Sequence, residues 1–197
     1  MGKSRQRDGS PAGVPAESIL STDFSLCHDA DDWFDVVMFC TSPALNPAGI
    51  ILDWHFSTRS WEEEENAIRP LLAGIGAGGI PVVRGIRGQL SRGTDGSITA
   101  PGHHDGARLI LDTMRRARGK VRLFNAGSLR NEALAYSLEP ELFSRKLDRM
   151  YILGGELNRP NNECNHQYDK TAFEIVFNAP LPKAWVWADR DNLVQWF

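Results

Sequence analysis

The 197 residues carry 22 Lys and Arg against 25 Asp and Glu, and a net charge of −3 supplies no basic footprint for nucleic acid or an anionic membrane. With 42% hydrophobic and 24% charged residues, the composition is globular, and the length suits one cored domain better than two. No apolar run approaches the about 20 residues of a membrane helix. Cys27, Cys40 and Cys164 are too far apart for a zinc spacing or a disulfide framework, so a reduced, cytoplasmic setting is expected.

Residues 1–16 are polar and rich in Gly, Ser and Pro, with no apolar stretch after their basic residues. They read as a flexible tail rather than a secretory signal, leaving 17–197 as one domain. Residues 18–21 form the first strand candidate, ending at Thr22-Asp23. Trp33, Phe34, Val37 and Met38 then fall at helical spacing within 31–40. The nearly all-apolar run 48–54 predicts a strand covered on both faces. A helix is expected over 59–72, opened by Glu62 to Glu65 and kinked or ended early by Pro70. Gly76 to Gly79 terminate it, and 80–85 is a third strand.

The turn-rich stretch 87–102 reads as a surface loop. Ala107, Ile110, Leu111 and Met114 then mark an amphipathic helix closed by Gly119. Residues 121–127 form a strand, 131–138 a short helix, 149–155 a strand ending in glycines, 172–178 a helix and 184–189 a sixth strand. This alternation predicts an α/β fold: a mostly parallel sheet with helices on both faces. Ligands in such sheets sit beyond the carboxyl ends of the strands, where Thr22-Asp23, Asp53, Asn125 and Gly154-Gly155 fall.

The densest chemistry lies in 21–35, where Asp23, Asp29, Asp31 and Asp32 place four carboxylates within ten residues. Such a group repels itself in a dry pocket unless a cation joins it, and oxygen-only donors favour Ca²⁺ or Mg²⁺. An acidic helix start, with Asp29 as cap and the others solvated, explains the same residues without a ligand. Asp105 reads as a helix cap, and Asp189 and Asp191 as turn caps.

Four segments taken in order resemble the nucleoside hydrolases. Asp29-Ala30-Asp31-Asp32 resembles the family's Asp-Val-Asp-Asp variant. Gly127-Ser128-Leu129-Arg130-Asn131 is similar to its Gly-Pro-Leu-Thr-Asn turn. The segment MYILGG matches its strand ending in Gly-Gly, and Glu163 to Asp169 match its Glu-x-Asn segment with a following Asp. The resemblance implies a Rossmann-like core that hydrolyses the N-glycosidic bond of a ribonucleoside with a Ca²⁺-bound water. It implies Asp23 as metal ligand and base, with Asp32 and the Arg130 carbonyl as further metal ligands. Asp31, Glu163 and Asn165 would then hold the ribose hydroxyls. A small-molecule nucleoside is the expected partner, with no nucleic acid and no membrane.

The chain also departs from the pattern. Ser21 replaces the family's first Asp, and a longer loop carries Phe24, Leu26 and His28. Asp53-Trp54-His55-Phe56 stand where a Gly-Asn pair is usual. The chain is read as C-terminally truncated relative to the family, reaching Phe197 before its His-Asp pair. A second copy or a partner protein would then cover the apolar end around Trp196. Two other readings stay open: a non-catalytic relative that binds a ribosyl ligand or a partner protein, and a Mg²⁺ phosphoesterase, for which the motif lacks a nearby Lys or Arg.

Overall fold

The structure, a computed structural model, describes residues 15–24, 30–55, 60–154 and 163–186. Cys27, His28, Asp29, Gly155, Asp189, Asp191 and Trp196 lie outside them. In chain order the elements are β1 (Glu17–Thr22), α1 (Ala30–Thr41), β2 (Asn46–Leu52), α2 (Trp61–Gly74), β3 (Val82–Arg84), β4 (Ser91–Arg92), β5 (Ile98–Thr99), α3 (Asp105–Arg116), β6 (Val121–Ala126), α4 (Arg130–Leu138), α5 (Pro140–Lys146), β7 (Leu147–Leu153), α6 (Cys164–Tyr168), α7 (Lys170–Asn178) and β8 (Lys183–Val186).

Six strands form one parallel sheet in the order β3-β2-β1-β6-β7-β8. The order reverses between β1 and β6, which register Leu20 beside Phe124 and Thr22 beside Ala126. A crevice opens at such a reversal, beyond the carboxyl ends of the two strands. Alternation along β1 sorts its side chains: Ile19 joins the core under α3, α4 and α7, and Leu20 the core under α1 and α2. Ser21 and Thr22 continue this alternation, one towards α4 and the other towards α1.

The strand and helix expectations hold with shifted ends, and four details differ. The stretch 87–102 is not all loop, because Ser91–Arg92 pairs antiparallel with Ile98–Thr99 across a turn at Gly96 with φ +83°. Pro70 does not end its helix early: α2 runs on to Gly74, with Pro70 and Asn66 on the exposed side. The carbonyl orphaned by the missing N–H therefore faces water, which lowers the cost. Helix α3 ends at Arg116, before Gly119, and its N-cap is His104 rather than Asp105, with no side-chain cap bond. Helices α5 and α6 are additions, too short to leave a periodic signal.

Candidate active site

Asp23 follows β1 directly, its backbone N–H reaching the Ala126 carbonyl of β6 at 3.4 Å. Asp32 sits in the first turn of α1, 7% exposed, and its Oδ1 accepts from Thr22 Oγ1 at 3.4 Å. Asp31, one residue earlier, is on the outer side of the same turn and exposed. The paired carboxylates therefore split, one inward and one outward.

Glu163 and Asn165 come from the start of α6. Glu163 is the N-cap: its Oε1 accepts the Asn165 N–H at 2.7 Å and its Oε2 the His166 N–H at 2.9 Å. Asn165 is buried and donates Nδ2 to the Leu153 carbonyl at 3.2 Å, tying α6 to the end of β7. Tyr168 closes α6. Burial pushes its hydroxyl well above the usual tyrosine range, and the charges of Asp23, Cys164, Asp32 and Glu163 add to the effect. Carboxylates from β1, α1 and α6 thus share one electrostatic neighbourhood around a single phenol.

Arg130 opens α4 behind an unusual turn. Leu129, fully buried, has φ 60° and ψ 4°, a left-handed conformation that costs a non-glycine residue about 1–2 kcal/mol. The resemblance assigned the Arg130 carbonyl a role and gave its side chain none. The guanidinium is in fact a strut, 4% exposed. Nη1 donates to the Trp54 carbonyl at 2.9 Å and the Ile86 carbonyl at 3.0 Å, and Nη2 to the Tyr168 carbonyl at 3.2 Å. Its Nε lies 3.7 Å from Asp169, which accepts the Leu90 and Ala172 N–H groups. One cation therefore pins the loops after β2 and β3 to the end of α6.

Beneath the strand ends lies a polar cluster. Asp53 is 2% exposed; its Oδ2 accepts from Ser128 N at 2.7 Å and Ser128 Oγ at 2.8 Å, and its Oδ1 accepts from Asn131 Nδ2 at 2.7 Å. Burial raises its pKa in spite of these donors and of Arg130. Space for the carboxyl is kept by Gly127 and Gly85, where an added Cβ would come to 2.6 Å from Asp53 Oδ2 and 3.0 Å from Asp53 Oδ1. Glu132, 1% exposed, accepts from Ser21 Oγ at 2.5 Å. Burial, then the charge of Asp53, pushes its carboxyl up to about 7. Sequence reasoning passed over Glu132; its one signal was a carboxylate directly ahead of the apolar Ala-Leu-Ala of a helix.

Asp23 and Asp32 are oxygen donors of the kind a hard cation takes, and both add negative charge at Tyr168. Among the described residues, no three His, Cys, Asp or Glu side chains are grouped to hold a metal by themselves. The Arg130 guanidinium directs its Nη donors to backbone carbonyls. Trp54 and Trp61 pack edge to face at 5.0 Å, with Arg87 4.2 Å above the Trp54 ring.

The sequence model of the inosine-uridine preferring nucleoside hydrolases matches residues 18–196. The chain belongs to that family. Solved nucleoside hydrolases share its fold. A plant enzyme is 21% identical with a TM-score of 0.68, over 89% of this chain and 60% of its own. An inosine-guanosine nucleoside hydrolase is 24% identical at 0.69, over 87% and 62%. The type III effector protein XopQ, solved with adenosine diphosphate ribose, is 13% identical at 0.70, over 90% and 59%. The chain thus spans about 60% of the length of these relatives. No curated protein sequence matches it.

Proposed function

We propose that the chain hydrolyses the N-glycosidic bond of a ribonucleoside in the cytoplasm, with Ca²⁺ held by Asp23, Asp32 and the Arg130 carbonyl. The observation that carries this reading is that Asp23, Asp32 and Glu163, from the end of β1 and the starts of α1 and α6, all act electrostatically on Tyr168. When bound, Ca²⁺ would orient the sugar hydroxyls and make a water more acidic.

The chain's own residues account for the rest. The bond from C1′ to the base nitrogen breaks with its electrons on the base, leaving positive charge on the ribosyl ring. The carboxylates beside Tyr168 stabilise that charge in a partly dry site. Asp23 accepts the proton of the attacking water as oxygen bonds to C1′, and the base leaves and is protonated. Asp31, on the outer side of the turn, and Glu163 and Asn165, at the start of α6, face the ribose hydroxyls from opposite sides. Glu163 serves there while also capping α6, since each carboxylate oxygen has two lone pairs.

A second reading has its own support: binding of a ribosyl ligand or partner protein without turnover. Ser21 stands at the strand-end Asp, and a protein of the same fold was solved with adenosine diphosphate ribose. Calorimetry with Ca²⁺, with and without inosine, and an assay of ribose release separate the two. Ca²⁺ binding strengthened by nucleoside, with ribose release, supports the hydrolase. Nucleoside binding without release supports the second reading, and neither sinks both.

A further inference from the structure

Of the cations Arg84, Arg87 and Arg130, which flank the ends of β2 and β3, two are spent on the protein itself. Arg84 holds Glu62 and Glu65 of α2, and Arg130 holds backbone carbonyls. Arg87 differs. It is exposed, and among the described residues its N–H groups donate to no oxygen and meet no carboxylate. Its guanidinium lies over the Trp54 ring, 4.2 Å from the centroid, and Trp61 braces that ring edge to face at 5.0 Å. The contact uses the π cloud of the ring and no oxygen, so the guanidinium keeps N–H donors for a ligand. A fork seated in this way loses less side-chain freedom when an anion takes it, and its shape matches the oxygens of a phosphate.

Resting on the hydrolase reading of the same site, we propose that Arg87, seated on Trp54, binds the 5′-phosphate of a ribonucleotide, so that the site takes nucleoside 5′-monophosphates ahead of nucleosides. Arg130 fixes the position. Its Nη1 holds the carbonyls of Trp54 and of Ile86, the residue before Arg87, while its Nη2 holds that of Tyr168. The Arg87–Trp54 pair is thereby fastened beside the residue on which Asp23, Asp32 and Glu163 act. Trp54 also follows Asp53, whose N–H donates to the Thr22 carbonyl at 2.8 Å, directly before Asp23. Glu163 and Asn165 stand on the other side of β1, towards β7. With the 2′ and 3′ hydroxyls held there and C1′ at the attacking water, the 5′ carbon is the ribose position left to carry a charged group. The carboxylates of the site repel a phosphate, and the unspent charge of Arg87 offsets that repulsion. The bond changes stay the same: oxygen of water bonds to C1′, the bond to the base breaks, and ribose 5-phosphate leaves in place of ribose.

Calorimetry of the full chain with ribose 5-phosphate and with ribose, both in the presence of Ca²⁺, tests this; base release from inosine 5′-monophosphate is followed separately. Ribose 5-phosphate is expected to bind at least about tenfold more tightly than ribose. That ratio should fall to near one in Arg87→Ala and recover in part in Arg87→Lys, which keeps the charge without the fork. Melting temperatures confirm that both variants fold. A ratio near one in the wild type, or no binding of ribose 5-phosphate at millimolar concentration, overturns the proposal. A preference that survives Arg87→Ala overturns it as well, as does an equal loss for both sugars, which would assign Arg87 to packing or to the base. Phosphate-dependent binding that needs Arg87, without base release, upholds the phosphate contact and sinks the hydrolase reading instead.

Discussion

The Ser21 hydroxyl at the end of β1 donates to the Glu132 carboxyl on α4 across 2.5 Å. Nucleoside hydrolases place an Asp at the strand position that Ser21 occupies. Here a carboxyl meets the same strand end from the facing helix, and it is 1% exposed with Asp53 beside it. The exchange keeps a polar contact under Asp23 and places a second acid in a region already holding one.

That placement makes stability depend on pH. The Glu132 carboxyl titrates near 7 in the folded chain, chiefly through burial, against about 4.3 in an unfolded one. Between these values the folded state keeps a proton that the unfolded state has released. This contribution to stability is therefore whole below about pH 4 and lost as pH rises through about 7. Glu132→Gln is expected to raise the melting temperature at pH 8 and to flatten its fall between pH 5 and 8, by on the order of 3 kcal/mol. Thermal unfolding at both pH values checks it; a variant that tracks the wild type rules out Glu132 as the titrating group.

Arg130 is the next test, because its guanidinium contacts three carbonyls and lies beside buried Asp169. Arg130→Ala leaves an unpaired buried carboxylate, at a cost of about 3–5 kcal/mol. Arg130→Lys keeps the charge but lacks the planar fork, so it is expected to recover less than half of that loss. Urea unfolding of both variants decides; equal stability of the Lys variant and the wild type would show that charge alone suffices.

The fold was largely legible from the sequence because parallel strands, buried on both faces, read as apolar runs such as 48–54 and 121–127. What stayed hidden is non-local. The burial of Glu132 depends on Ser21, which is 111 residues away, and the Arg130 carbonyl contacts lie 38 to 76 residues away. No window along the chain holds both partners. The acidic motif was visible as composition, but the inward turn of Asp32 and outward turn of Asp31 depend on where α1 sits on β1. Glu163 looked like a ligand residue and is also a helix cap, since a Glu preceding two free N–H groups fits both roles.

Glu163 allows those roles to be separated. Its two oxygens accept the N–H groups of residues 165 and 166, so Glu163→Ala is expected to cost about 1 kcal/mol in stability. Glu163→Gln keeps one acceptor and should lose about half as much. A ribose contact adds a second signature: KM for inosine rises in both variants, and more in Ala. Melting temperatures together with KM distinguish the outcomes, and a stability loss with unchanged KM leaves Glu163 as a cap alone.

Asp23 and Asp32 divide the proposed chemistry between proton transfer and metal binding. Asp32 is buried against Thr22 in the first turn of α1, where its charge meets a helix N-terminus; Asp23 stands at the strand end beyond. Asp23→Asn keeps an oxygen donor and removes the proton acceptor. Ribose release should fall by about 10²–10⁴-fold, with nucleoside binding retained. Asp32→Ala removes an oxygen donor without an isosteric replacement, so Ca²⁺ affinity and turnover should fall together. Calorimetry with Ca²⁺ and single-turnover ribose release on both variants give four numbers. Loss of turnover in Asp23→Asn with Ca²⁺ binding intact assigns the base. Full turnover in that variant would show that another group takes the proton from water.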